Sequence, residues 1–244
     1  MARVAVVLLL LLAAAHDAAA QARTARLVSA TYGGGERVLA VLLPPGYASS
    51  EKSYPVLYLL HGAGQDHSAF MARRAFVPAA RRNDMIVVMP AADRVLRGPD
   101  AQARYETFIA TELVPYVDAE YRTVPSPAGR AIAGISQGGG FAASTALRYP
   151  GVFGTVGALS AAFRGAAAAD AGAPAATHFY ISCGTIDTLL PLSHNLVELL
   201  RARKISHEFH EIPGGDHSWS VWDPELVVFM DVLASRGGWR PAHQ

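Results

Sequence analysis

From Arg26 onward the chain alternates short β-branched runs with stretches of helical periodicity, and this alternation constrains the fold more than any other feature. A helix between two apolar runs returns the chain to the same end of a sheet, so the pattern is that of parallel strands covered on both faces. The runs predict strands at Leu27 to Tyr32, Val38 to Leu43, Val56 to Leu60, Met85 to Met89, Arg130 to Ile135, Thr155 to Leu159, His178 to Cys183 and His207 to Ile212. The first two, joined across Gly33, Gly34 and Gly35, read as an antiparallel hairpin at a sheet edge. Helices fit Phe70 to Arg82, Tyr105 to Tyr121, Gly138 to Tyr149, His194 to Lys204 and Pro224 to Arg236, with Asp223 placed to cap the last and Pro224 to open it. The expected architecture is α/β: a mostly parallel eight-stranded sheet with helices on both faces and no large cap domain. No internal repeat or long linker divides the chain, so residues 23–244 read as a single domain. The Ala-rich stretch Gly165 to Ala176 reads as an exposed connection or, alternatively, as a flap over the site.

Residues 1–22 are of another kind. Arg3 precedes the apolar run Val4 to Ala15, and Ala18, Ala20 and Ala22 offer two AxA sites, cleaving before Gln21 or before Arg23. That is the pattern of a secretory signal peptide. The alternative is an uncleaved membrane anchor, but a run of about a dozen residues is short against the roughly 20 needed to span a bilayer. No later stretch is long enough to span one. The mature chain is therefore expected to be secreted or periplasmic, in a bacterium.

Charge and cysteine content then exclude several classes. Twenty-one Lys and Arg stand against 20 Asp and Glu, a formal net charge of +1 that gives no electrostatic reason to expect nucleic acid as a partner. Cys183 is the one cysteine, so no intrachain disulfide and no cysteine-based zinc cluster can form. It reads as a small core residue of its strand.

Chemistry enters at Gly134, Ile135, Ser136, Gln137 and Gly138, a GxSxG pattern lying where a β-run meets a helical one. That context points to a nucleophile elbow, in which glycines permit a strained turn that lifts the serine hydroxyl clear of the backbone. Three further elements fall where such a nucleophile needs them. The loop His61, Gly62, Ala63, Gly64 follows the strand Val56 to Leu60, and the N–H of Ala63 can join that of Gln137 to hold an oxyanion. His61 itself reads as a structural ring hydrogen-bonded to the loop. Asp187 follows the strand His178 to Cys183, placing a carboxylate to orient a histidine; Asp170 and Asp216 compete for this role less well. His217 lies in the loop after the last predicted strand and is free to reach Ser136, whereas His207 and His210 belong to the strand. A metal site built from His207, His210 and His217 is the alternative, but it lacks a fixed ligand spacing, and no metal or other cofactor is expected. Phe70, Phe141, Trp219 and Trp222 are candidates for an apolar substrate wall or, equally, for core packing.

On these motifs the chain resembles the putative esterase family of the α/β-hydrolases, the esterase D-like group of S-formylglutathione hydrolases, feruloyl and acetylxylan esterases and mycolyltransferases. The resemblance is carried by PVLYLLHGAGQDHSAF (Pro55 to Phe70), YETFIATELVPYVDAEYRT (Tyr105 to Thr123), AIAGISQGGGFAA (Ala131 to Ala143), CGTIDTLL (Cys183 to Leu190) and HEFHEIPGGDHSWSVW (His207 to Trp222). It implies Ser136 as nucleophile, Asp187 as acid, His217 as base, and Ala63 and Gln137 as backbone oxyanion donors. Gln137 stands where the family often has Met, and the segments Pro90 to Tyr105 and beyond Ala162 are shorter than in many relatives. The implied activity is ester hydrolysis through an acyl-enzyme, on small-molecule or polysaccharide-linked esters: feruloyl, acetyl or short-chain acyl. The competing readings are acyl transfer to a carbohydrate or lipid alcohol and a non-catalytic binding protein on the same scaffold.

Overall fold

The computed structural model of the protein describes residues 22–92, 100–165, 177–236 and 239. All but the final residue of the expected signal peptide, and residues 166–176 of the Ala-rich stretch with Asp170, lie outside them. Eight strands form one sheet in the order β1-β2-β4-β3-β5-β6-β7-β8. They are β1 (Arg23–Ser29), β2 (Gly35–Leu42), β3 (Val56–Leu60), β4 (Ile86–Pro90), β5 (Arg130–Ile135), β6 (Thr155–Leu159), β7 (His178–Gly184) and β8 (Ser206–Ile212). β1 and β2 form the expected antiparallel hairpin at the edge, in register from Arg23 opposite Val41 to Ser29 opposite Gly35, and β2 runs antiparallel to β4. From β4 to β8 every pairing is parallel.

The inner strands are apolar along their whole length because parallel strands flanked by helices have no solvent face. Alternate side chains of β3 divide between two cores. Val56, Tyr58 and Leu60 pack with the first core, and Leu57 and Leu59 with the second. The second core is covered by α1 (Phe76–Arg82), through Phe76, Ala79 and Ala80. The first is covered by α2 (Ala101–Phe108), which passes through one π-helical turn (Ile109–Leu113) into α3 (Val114–Glu120), and by α4 (Gln137–Arg148) and α5 (Leu190–Ala202). α6 (Trp219–Ser235) returns to the second face and lays Val221, Trp222, Leu226, Phe229, Met230 and Leu233 against it.

Strand order reverses around β3. The chain leaves β3 toward β4, then crosses back over β3 to β5 and continues outward to β8. Such a switch opens a crevice at the carboxyl ends of the strands, and the β5–α4 junction lies there.

Helix starts depart from expectation. Residues 70–75 form turns, so the first helix begins at Phe76 and not at Phe70. The last helix begins at Trp219 and not at Pro224, because the extended Ser218 (φ −148°, ψ 170°) presents its carbonyl to the N–H groups of Val221 and Trp222. Pro224 is thus inside the helix, where its missing N–H leaves one carbonyl without its usual partner. Asp223 is not a cap. It receives a bidentate ion pair from Arg73, with contacts of 2.6 to 3.1 Å, which fastens the turn region before α1 to α6.

Candidate active site

Ser136 is the hinge between β5 and α4, held at φ 54°, ψ −120°. A non-glycine residue reaches such angles only when its surroundings enforce them. Here its N–H donates to Leu159 O at 2.9 Å, and its carbonyl accepts from Ala162 N at 2.9 Å and Gly140 N at 3.1 Å. Close approach of the backbone explains the flanking glycines. A Cβ on Gly138 would lie 2.3 Å from Leu60 O, and one on Gly134 would lie 2.4 Å from the Gly138 carbonyl carbon. Only bare backbone lets α4 start so near the end of β3.

Two loops bring the other groups to this point. Asp187 follows β7 and His217 follows β8, and their loops are laced together by backbone. Thr185 N donates to Ile212 O, and Ile186 N to Gly215 O at 3.0 Å. A Cβ on Gly184 would meet Gly215 O at 2.0 Å, so the separation of acid and histidine is set by backbone contact. The Ser136 hydroxyl reaches His217 Nε2 at 2.9 Å. On the other side of the ring, Nδ1–H donates to Asp187 Oδ2 at 2.8 Å, with Oδ1 at 3.0 Å.

Asp187 is 4% exposed. Burial works against its charge, but hydrogen bonds from Leu189 N–H, the His217 ring and the Ser160 hydroxyl outweigh that cost and hold its carboxyl below the usual aspartate range. Ser160 gave no signal in the sequence beyond its place at the end of a strand. It is fully buried at φ 45°, and its oxygen also accepts from Trp222 Nε1 at 2.9 Å. Trp222 in turn presents its ring at 85° to that of His217, centroids 4.8 Å apart. Serine and tryptophan thus brace the acid and the imidazole from behind.

The cleft over Ser136 has a volume of about 520 Å³, and its walls include Ala63, Gln137, Phe141 and His217. The N–H groups of Ala63 and Gln137 take no partner among the described residues, and Gln137 opens α4, where the helix dipole favours negative charge. Of the four candidate wall residues, Phe141 alone lines this cleft. Phe70 is fully buried in the second core, edge-on to Trp219 at 5.8 Å; Trp219 borders a neighbouring concavity with Gly64 and Gln65, and Trp222 acts from behind the histidine. Gln102, Arg164, Thr188 and Leu189 also line the cleft, and no spacing rule singles them out.

The remaining candidates separate from the site. His61 accepts from Ala92 N–H at 3.0 Å through Nε2, which leaves Nδ1–H to donate to Gly62 O at 2.8 Å, so the ring shapes the loop that carries Ala63. His207 donates to Ile205 O, and His210 stacks on Tyr180 at 4.8 Å. These two histidines and His217 do not converge. Asp216 accepts from Ser218 Oγ within its own turn. Burial pushes the Cys183 thiol up to about 11, so this core residue stays protonated and unreactive at neutral pH.

The chain is similar to known proteins in sequence and in fold. A family model described as "Putative esterase" matches residues 29–178. An esterase of Mycobacterium tuberculosis is 36% identical over 126 residues, covering 46% of this chain and 26% of that protein. This chain therefore spans about a quarter of the relative's length. A ferulic acid esterase shares the fold with a TM-score of 0.75 at 26% identity, over 88% of this chain and 98% of the other. A fluorophosphonate-binding serine hydrolase of Staphylococcus aureus does so with a TM-score of 0.76 at 20% identity, over 88% of this chain and 99% of the other, a likeness of fold. The matched stretch runs from the edge hairpin through the serine elbow to the start of β7, well over half of the sequence, and by it the chain belongs to the esterase family, on the α/β-hydrolase fold.

Proposed function

We propose that the protein is a serine carboxylic-ester hydrolase that works through an acyl-enzyme. The observation that carries this reading is the continuous line from Ser136 Oγ to His217 Nε2 (2.9 Å) and from Nδ1 to Asp187 (2.8 Å), beginning at the strained turn. His217 takes the Ser136 proton as Oγ attacks the ester carbonyl, and Asp187 stabilises the imidazolium. The negative oxygen of the tetrahedral intermediate is received by the N–H groups of Ala63 and Gln137, each donor worth roughly a hundred- to a thousandfold in rate. Collapse expels the alcohol with the proton from His217. Water then attacks the acyl-enzyme in the same manner and releases the acid.

The substrates we propose are feruloyl or acetyl esters, including those carried on polysaccharide, and short-chain acyl esters. The similarity to a ferulic acid esterase supports the first of these. We further infer export, on the pattern of Arg3, the run Val4 to Ala15 and the AxA sites. No helix among the described residues is long and apolar enough to cross a membrane.

The test is hydrolysis of p-nitrophenyl acetate or butyrate by the purified protein, with Ser136→Ala as control and a fluorophosphonate probe as label. Hydrolysis lost with Ser136, and labelling confined to it, is the expected result. Hydrolysis that survives Ser136→Ala overturns the reading. Methyl ferulate, acetylated xylan and tributyrin, run side by side, rank the acyl classes.

A further inference from the structure

A fully buried carboxylate lies behind the cleft and takes no part in the mechanism above. Glu106, on α2, has no exposed surface. Burying a carboxylate is costly unless its oxygens are matched by donors, and here they are. Oε1 accepts from Ser144 Oγ at 2.5 Å and from Gln102 Nε2 at 2.8 Å, and Oε2 faces Arg148 Nη1 at 3.5 Å. Gln102 is the member of this group that lines the cleft with Ser136.

The network fixes which way the Gln102 amide points. Glu106 Oε1, already accepting the Ser144 proton, can only accept, so the corner of the amide that faces it must be the NH2 group. Ser144 Oγ gives its single proton to Glu106, so toward Gln102, 3.2 Å away, it too can only accept. The NH2 group of Gln102 is thereby turned toward Glu106 and Ser144. Its carbonyl oxygen, Oε1, accepts no hydrogen bond from any described residue. An ordinary glutamine in a cleft offers donor or acceptor by rotating its amide, but this one cannot turn over, and its carbonyl oxygen is held on the side away from Glu106.

We infer that Gln102 Oε1 is a specificity-determining acceptor for a hydroxyl group on the substrate, with Glu106 and Ser144 as positioning residues. This rests on the proposed hydrolase reading and narrows its substrates to esters bearing a hydroxyl within reach of the cleft wall. The hydroxyl lies on the acyl part, as on a phenolic acid, or on the alcohol part, as on a glycerol or sugar ester. An uncharged acceptor discriminates by donor and not by charge.

The experiment uses matched esters that differ only in hydroxyl content. Methyl 3-(4-hydroxyphenyl)propionate is compared with methyl 3-phenylpropionate for the acyl side, and glyceryl monobutyrate with propyl butyrate for the alcohol side. The quantity read is the ratio of kcat/KM within each pair, so the fraction of folded enzyme cancels. The native protein is expected to favour the hydroxylated member of one pair, and Gln102→Met to reduce that ratio by about three- to tenfold, the worth of one uncharged hydrogen bond. The pair that responds identifies the side. Glu106→Gln, which lets the two amides pair in either orientation, should lower the same ratio, whereas loss of a merely structural contact would lower both members alike. Equal ratios in the native protein and Gln102→Met for both pairs overturn the inference. That result with Ser136-dependent hydrolysis intact leaves the hydrolase reading standing, while hydrolysis independent of Ser136 removes that reading instead.

Discussion

At Ser136 the fold holds a side-chain-bearing residue at angles that glycine tolerates best, and the hydroxyl it presents is the one group there with a chemical use. Strain of this kind is stored where function needs a fixed geometry. Three expectations follow for single residues. Ser136→Ala should lower kcat/KM by at least about a thousandfold, since the remaining oxyanion donors and binding contacts supply only residual catalysis. Ser136→Gly should be equally inactive yet melt at a higher temperature than Ser136→Ala, because glycine relieves the positive φ; melting curves in the reverse order would remove the claim of strain. Asp187→Asn should cost on the order of a thousandfold or more with the fold retained, because an amide no longer selects the proton on Nδ1. The serine, aspartate and histidine were legible in the sequence because each follows a recognisable β-run in a glycine-marked loop. Ser160 and Gln102 were not. Ser160 meets Trp222 across 62 positions, and Gln102 meets Ser144 across 42, through sheet order and helix packing that no local spacing encodes.

Among the elements, inner strands were read well and helix starts poorly, for a physical reason. Val56–Leu60, Arg130–Ile135 and Thr155–Leu159 are apolar runs closed by turn residues, and burial on both faces leaves them no other place. A helix start is decided by what the first turn packs against. Proline illustrates the limit: Pro191 lies in the first turn of α5 as the rule for proline expects, whereas Pro224 is inside α6. Trp219 extends that helix backward because it packs on Phe70 and Trp222 and lies under the Arg73 guanidinium, 4.4 Å from its ring centre. The loops after β7 and β8 carry their own expectation. Gly184→Ala drives a Cβ into Gly215 O and must part the loops that carry Asp187 and His217. We expect a loss of about 1–3 kcal/mol in stability and a much larger loss in kcat, read by denaturant melts beside steady-state kinetics. A native-like kcat would show that the backbone lacing does not set the acid–histidine distance.

For the whole molecule, acid should act in two stages. Burial lowers the pKa of His178 from its ordinary 6.5 against the opposing pull of Glu208, so the fold prefers the neutral ring. Its contribution to stability is complete above pH 6.5 and fades as pH falls through the lowered value. Carboxyls held below their ordinary range, Asp187 and Glu112 among them, contribute stability that is present above about pH 4.5 and lost as pH falls through their lowered values. Glu112 reaches this state against its own burial, through hydrogen bonds from the N–H and the hydroxyl of Thr31, and so ties the edge hairpin to the π-helical turn. Melting temperature should therefore be flat near neutrality, decline gently below pH 6.5 and fall steeply below about pH 4.5; a rise between pH 5 and pH 3 would contradict the assignment. The division of the core by the sheet has a further consequence, in time. A chain is made from its N-terminus, and β6 and β7 are complete before α6, which packs on their second face beside α1 and follows directly on the loop of His217. Until that helix emerges, the second face of β6 and β7 stands bare and the serine has no base, so a growing chain is sticky and chemically silent together, and the segment that ends the first condition ends the second.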